Sequence, residues 1–365
     1  MSGVAARTIR VGAVGCGFFA QNHFHAWQDL APQGAVLAAV CDVDPGKAEA
    51  AGKAFGAAVY TDAAEMLSAE RLDLVDIITR HDTHRPLAER AIAHGIATIV
   101  QKPFATEWQD CVAIVEAARA AGVWLAVHEN FRFQAPMRRV LAEIRKGAIG
   151  APNWARIRFR TGYDVYKTQP YFYDEERLAI ADVGIHMLDL ARCFMGEVER
   201  ISCETQRRNP KVRAEDTATM LLRHRSGAVS VVEATYEARR GELDPFPETL
   251  LEIEGERGAI IVDAGCRMKL VRDGNTSRHE IGSPLLGWTS HPWHVAQEGA
   301  FGACSHFLDC VLRGVPAETS GEDNLKTFAL VDAAYEAAAT HAAAAPKAWQ
   351  PETGAGTARD GRRLR

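Results

Sequence analysis

The feature that most constrains this chain is a glycine turn set between a strand pattern and a helix pattern. Ile9 to Val14 is an apolar run of strand length, Phe18 to Leu30 repeats at helical spacing, and Gly15-Cys16-Gly17-Phe18-Phe19-Ala20 joins them. A GxGxxA turn in that position has a physical reading. Gly15 permits the tight turn, Gly17 lets a pyrophosphate approach the backbone, and the small Ala20 allows close helix–strand packing. The amides around Phe18 and Phe19, at the helix N-terminus, present partial positive charge to an anion. Alone the turn is a weak signal, because glycines join strands to helices in many proteins. Asp42 strengthens it: it closes the second strand, Val36 to Cys41, where a carboxylate accepts hydrogen bonds from ribose hydroxyls. No basic residue follows Asp42 to welcome a 2′-phosphate, which favours NAD over NADP.

The rest of the first 130 residues keeps the same alternation of short apolar runs and helical patterns, which predicts a parallel sheet. Asp44 and Pro45 read as N-cap and first helical residue, with the helix ending near Gly56. Asp62 with Glu65, and Thr106 with Gln109, read as capping boxes. Strands are expected at Leu74–Ile78, Thr98–Gln101 and Val123–Val127, and a helix from Arg85 to His94 stopped by Gly95. After Asn130 the pattern changes. A helix from Pro136 to Lys146 precedes strands at 154–161, 201–207, 217–224, 229–236, 249–254 and 259–262, with a hairpin turn at Arg225-Ser226-Gly227. Alternating polar and apolar residues there predict an open, mainly antiparallel sheet with one face partly wet. Further helices are expected at Asp182–Met195, Ala296–Arg313 and Asp323–His341. The fold class is α/β: a Rossmann domain over 1–130, an α+β domain over 131–345, and a flexible tail over 346–365.

Two segments carry chemistry. Val100-Gln101-Lys102-Pro103 ends a strand at the sheet edge where open α/β folds bind ligands. Asp182-Val183-Gly184-Ile185-His186 opens a helix, with Asp182 and His186 four apart and facing the same side. Removing hydride from a carbinol carbon needs a base for the hydroxyl proton, which suits imidazole near neutral pH. An ammonium on the same oxygen stabilises the charge that develops there. Lys102 and His186 are both candidates for the final base; the base is assigned to His186 and substrate orientation and charge stabilisation to Lys102, with Asp182 placed to hold the His186 tautomer. Lys102-Pro103 is a candidate cis peptide. Asn130 and Arg132 should line the cleft, where donors suit hydroxyl-rich ligands, although Arg132 serves equally well as a structural ion-pair partner. Tyr163, Tyr166 and Lys167 lie in a loop placed to close over a substrate or to pack in an oligomer.

The glycine turn, the Lys-Pro after the fifth strand, the Asn130-Phe131-Arg132-Phe133 segment and the Asp-x-Gly-x-His-x-x-Asp helix start together resemble the glucose-fructose oxidoreductase/inositol dehydrogenase/rhizopine catabolism (Gfo/Idh/MocA) family over nearly the whole chain. The resemblance implies a nicotinamide-dependent dehydrogenase acting on sugar or polyol hydroxyls, with Lys102, Asp182 and His186 as its catalytic groups. It also places Thr79, His84 and Gln101 at the cofactor. Two departures stand out: Gln101 where the family has glutamate before the lysine, and Thr79-Arg80-His81 where it has Thr-Pro-Asn. With His128-Glu129-Asn130, the Gln-Lys-Pro variant resembles a branch acting on branched pentoses such as apiose.

Composition narrows the alternatives. A net charge of −5 with both signs interspersed shows no basic stripe for nucleic acid. No apolar run reaches membrane-spanning length, and Met1–Arg7 lacks the apolar core of a secretory signal. The eight cysteines form no CxxC pair and read as reduced thiols in a cytoplasmic protein. His291-Pro292-Trp293-His294 invites a metal, but the proline breaks the spacing and no acidic or thiol partner is near, so no metal is expected. The open sheet face predicts a homodimer or homotetramer. Two other functions stay open: a non-catalytic NAD-binding sensor or scaffold, and a closed-cycle oxidoreductase or lyase that retains its cofactor.

Overall fold

A computed structural model describes residues 7–238, 249–291 and 293–351. The first half builds one sheet from β1 (Ile9–Val14), β2 (Ala35–Cys41), β3 (Ala58–Tyr60), β4 (Leu74–Ile77), β5 (Ala97–Gln101) and β6 (Leu125–His128). All pairs are parallel, in the order β3-β2-β1-β4-β5-β6. Helices α1 (Ala20–Asp29), α2 (Pro45–Phe55), α3 (Ala63–Ala69), α4 (His84–Ala93) and α5 (Trp108–Ala121) make the crossovers. The chain leaves β1 towards β2 and returns towards β4, so a crevice opens above the ends of β1 and β4.

Local chemistry explains most of these boundaries. The Asp44 side chain accepts from the Gly46 and Lys47 amides, Pro45 opens α2, and Gly56 closes it in the left-handed region. Asp62 caps α3 through the Ala64 amide. The box expected at Thr106 is not formed: α5 starts one residue later on Glu107 without a side-chain cap, and Thr106 Oγ1 faces His81 Nδ1 at 3.0 Å instead. The short β3, whose side chains are largely exposed, has no apolar run to announce it.

The second sheet follows α6 (Ala135–Arg145). It comprises β7 (Pro152–Arg160), then, after α7 (Ile185–Met195), β8 (Val198–Gln206), β9 (Thr217–His224), β10 (Val229–Thr235), β11 (Thr249–Gly255), β12 (Gly258–Asp263), β13 (Arg267–Arg272) and β14 (Asn275–Glu280). Its order is β14-β13-β12-β11-β7-β10-β9-β8. The antiparallel expectation holds except at β7–β10, which is parallel because β7 enters the sheet between two later hairpins. The β13–β14 hairpin is absent from the sequence reading, although Asp273-Gly274 marks it. Both residues have positive φ, as a two-residue hairpin turn requires.

Helices α7 and α9 (Gly321–Thr340) cover the inner face of this sheet, while α8 (His294–Arg313) lies against α1 of the first. Residues 346–351 are anchored rather than frayed: Lys347 pairs with Asp332 and the Trp349 indole donates to Glu116. The remainder of the expected tail, residues 352–365, lies outside the described residues, as do Pro292 and the first six residues of the chain.

Candidate active site

The crevice above the first sheet encloses about 1410 Å³. That exceeds the 300–1,000 Å³ typical of a small-ligand pocket and suits a dinucleotide with a second ligand. At one end lies the glycine turn. Gly15 has φ +99°, and a Cβ there would lie 2.6 Å from the Ile78 carbonyl oxygen. A Cβ on Gly17 would meet nothing within 4 Å, so its backbone faces the open crevice. Ala20 is buried where α1 packs on the sheet. Asp42 accepts from the Cys16 amide at 2.7 Å and the Asp44 amide at 2.9 Å, fastening the turn to the end of β2 while still lining the crevice. Phe18, Phe19 and Thr79 line the same wall. An open backbone cradle, a helix N-terminus and a strand-end carboxylate fit a dinucleotide with free ribose hydroxyls.

His84 corrects the sequence reading. It does not line the crevice but is fully buried, with Nδ1 facing the Pro103 and Phe104 carbonyls and Nε2 the Thr79 carbonyl. It links the end of β4 to the segment after β5. Burial pushes its pKa down to about 4.

Lys102 directly follows β5 and is joined to Pro103 by a cis bond. Its Nζ lies 2.5 Å from Asp182 Oδ1 and 3.0 Å from the Asp182 carbonyl. The other Asp182 oxygen accepts from the Tyr236 hydroxyl, at the end of β10. Burial raises the Asp182 carboxyl, but Lys102 and Tyr236 outweigh it and hold the group below its ordinary range. Beneath Lys102 runs a buried polar chain. The Lys102 amide donates to Gln101 Oε1 at 2.8 Å, Gln101 Nε2 faces His23 Nε2 at 3.0 Å, and His23 Nδ1 meets Asp76 at 2.8 Å.

His186 lines the crevice beside this pair, its ring stacked on Phe131 at 3.9 Å with 2° between planes. Its Nδ1 is hydrogen-bonded to Glu129 Oε1. Asp182 therefore does not hold the imidazole as expected. Residues Ile180–Gly184 form a π-helical turn, in which positions four apart no longer stack as on an α-helix, and both Asp182 oxygens are committed elsewhere. Burial, then Lys102, hold His186 well below its usual pKa.

Arg132 is a second correction. It is buried outside the crevice, with Nε 2.8 Å and Nη2 2.5 Å from the two Asp189 oxygens and Nη1 on the Glu318 carbonyl. In the structure it is a buried ion-pair partner of Asp189 and does not line the crevice. Asn130 and Tyr163 do line the crevice, whereas Tyr166 is buried against Tyr173 and Lys167 is exposed outside it. Arg80, the departure after β4, pairs with Glu175 at 3.3 Å and lies over the Tyr171 ring, tying the 161–177 segment across the crevice. Glu129 and Tyr236 were given no role in the sequence reading; each ends a strand, but only the assembled fold brings it to a partner. Among the described residues His23, His128 and Cys304 bring donor atoms within 4.8 Å, yet His23 is already engaged by Asp76 and Gln101.

Residues 9–129 match the family described as "Oxidoreductase family, NAD-binding Rossmann fold", and residues 137–261 match the GFO/IDH/MocA C-terminal domain. The chain belongs to the GFO/IDH/MocA family of NAD-binding oxidoreductases. It is 45% identical over 327 residues to a D-apiose dehydrogenase of Rhizobium rhizogenes, covering 89% of this chain and 94% of that one. It is likewise 45% identical over 323 residues to a D-apiose dehydrogenase of Paraburkholderia graminis, covering 88% and 85%. The crystal structure of an oxidoreductase from Agrobacterium radiobacter in complex with NAD+, L-tartaric acid and magnesium superposes with a TM-score of 0.90 at 43% identity, covering 92% of this chain and 98% of that one.

Proposed function

We propose that this chain is an NAD-dependent D-apiose dehydrogenase, with His186 as general base and Lys102 orienting and stabilising the substrate oxygen. The observation that carries the reading is convergence. Lys102, from the end of β5, and His186, from α7, line the same crevice as the glycine turn and Asp42. The two relatives at 45% identity supply the sugar, in line with the branched-pentose resemblance.

Bound NAD supplies the hydride acceptor. Gly15, Gly17 and Asp42 hold it, and the Asp42 carboxylate repels a 2′-phosphate, which selects NAD over NADP. His186, with Nδ1 donating to Glu129, presents Nε2 as an acceptor for the hydroxyl proton. Lys102, held by Asp182, donates to the same oxygen. Asn130 and Tyr163 line the sugar end. Self-association through the outer face of the second sheet completes the reading.

The test is NADH formation with D-apiose against common aldoses and myo-inositol, each with NAD and NADP. Turnover confined to D-apiose and NAD, and lost by at least about a hundredfold in Lys102→Ala and His186→Ala, is the expected result. Silence across the panel, with NAD still bound, would favour a sensor; cofactor retained through purification would favour a closed-cycle enzyme.

A further inference from the structure

Glu129 stands directly behind the imidazole. It is fully buried at the end of β6, does not line the crevice, and meets His186 at Nδ1. A carboxylate withdrawn from water is costly unless something in the site uses it. Phe131 is stacked flat on His186 and fixes the plane of the ring, so the Glu129 contact determines which nitrogen carries the proton. Asp182 is not available for this, because Lys102 and Tyr236 occupy both of its oxygens.

We propose that Glu129 is the positioning residue of the proton-transfer step: its carboxylate accepts from Nδ1–H, turns the Nε2 lone pair to the substrate, and offsets the imidazolium charge. The proposal rests on the reading of His186 as the base. The substrate hydroxyl proton goes to Nε2, the carbon's hydride leaves with its electron pair to oxidised nicotinamide, and the imidazolium proton passes to water between turnovers.

The carboxyl is also placed to titrate near neutrality. Burial pushes it up to about 7, against Lys102 from the end of β5 and Arg132 from its own turn, with Asp189 and His186 facing it from α7 and His128 preceding it in the strand. Once protonated, Glu129 donates to Nδ1 and forces the N–H of the imidazole towards the substrate, which removes the base. Activity should therefore fall as pH drops through about 7.

The experiment compares Glu129→Gln, Glu129→Asp, His186→Asn and the double variant Glu129→Gln/His186→Asn on the sugar that the substrate panel turns over. NADH binding is measured in each, with imidazole nitrogen NMR of wild type and Glu129→Gln. We expect Glu129→Gln to lower kcat on the order of a hundredfold, with KM and NADH affinity changed by less than about threefold. The acid limb near pH 7 disappears and the His186 tautomer signal shifts. Glu129→Asp keeps the limb at intermediate kcat, and Glu129→Gln costs nothing further in the His186→Asn background. Unchanged kcat and limb in Glu129→Gln, or an equal loss in the His186→Asn background, would overturn the role of Glu129 while leaving His186 as the base. Full activity in His186→Asn would overturn the base assignment and this proposal with it.

Discussion

Gln101 shows how a single side chain can be matched to its neighbours. Its Oε1 accepts from the Lys102 amide, which leaves its amide nitrogen facing His23 Nε2, while Asp76 engages the other ring nitrogen. A glutamate here would direct a carboxylate at an acceptor nitrogen and could pair only if His23 gained a proton. Gln101→Glu is therefore expected to lose about 1–3 kcal/mol of stability. Thermal melts of both proteins in one buffer check this; a variant that melts at or above the wild-type temperature would sink it. Residue types at strand ends made Lys102 and Asp42 readable, and a helix start did so for His186, because their chemistry follows from position along one element. The partners of Asp182 and Glu129 were not readable. Tyr236 follows β10 and His186 lies on α7, and no spacing within a single segment encodes those contacts.

At the scale of the element, the glycine turn separates two jobs that the motif runs together. Gly15 needs its positive φ and its closeness to the Ile78 carbonyl, whereas Gly17 borders open space. Gly15→Ala should cost about 1–3 kcal/mol of stability as well as NADH affinity, because the strain lies in the fold itself. Gly17→Ala should melt like wild type yet bind NADH more weakly. Paired melting curves and NADH titrations decide it, and equal melting losses in the two variants would refute the division. The strand-to-helix alternation of the first sheet was legible because its parallel strands, the short β3 apart, are largely buried on both faces and read as apolar runs. The β13–β14 hairpin escaped because β14, Asn275–Glu280, is a polar edge strand with little to bury. The π-helical turn escaped because a widened turn is decided by what it docks against, here Lys102 and Tyr236.

For the molecule as a whole, the proposed self-association falls to the outer face of the eight-stranded sheet. One cross-strand row runs Leu221, Val231, Arg156, Glu252, Ile261, Lys269. Leu221 is 51% exposed, and Val231 and Ile261 are only half-buried, so the row mixes apolar and charged positions suited to a second copy. Light scattering after size exclusion should return two or four times the chain mass, and Leu221→Arg should lower it. A monomer mass at every concentration would refute the assignment. The placing of α8 has a different consequence. Cys304, Phe307, Leu308 and Val311 share one buried cluster with Ile9, Val11, Phe24 and Trp27 of the first sheet and α1. During synthesis at roughly 5–20 residues per second, the nucleotide-binding half would emerge with that face bare for roughly 10–40 seconds before the helix that covers it is made. The newborn chain must therefore be kept from sticking to its neighbours until α8 has been made.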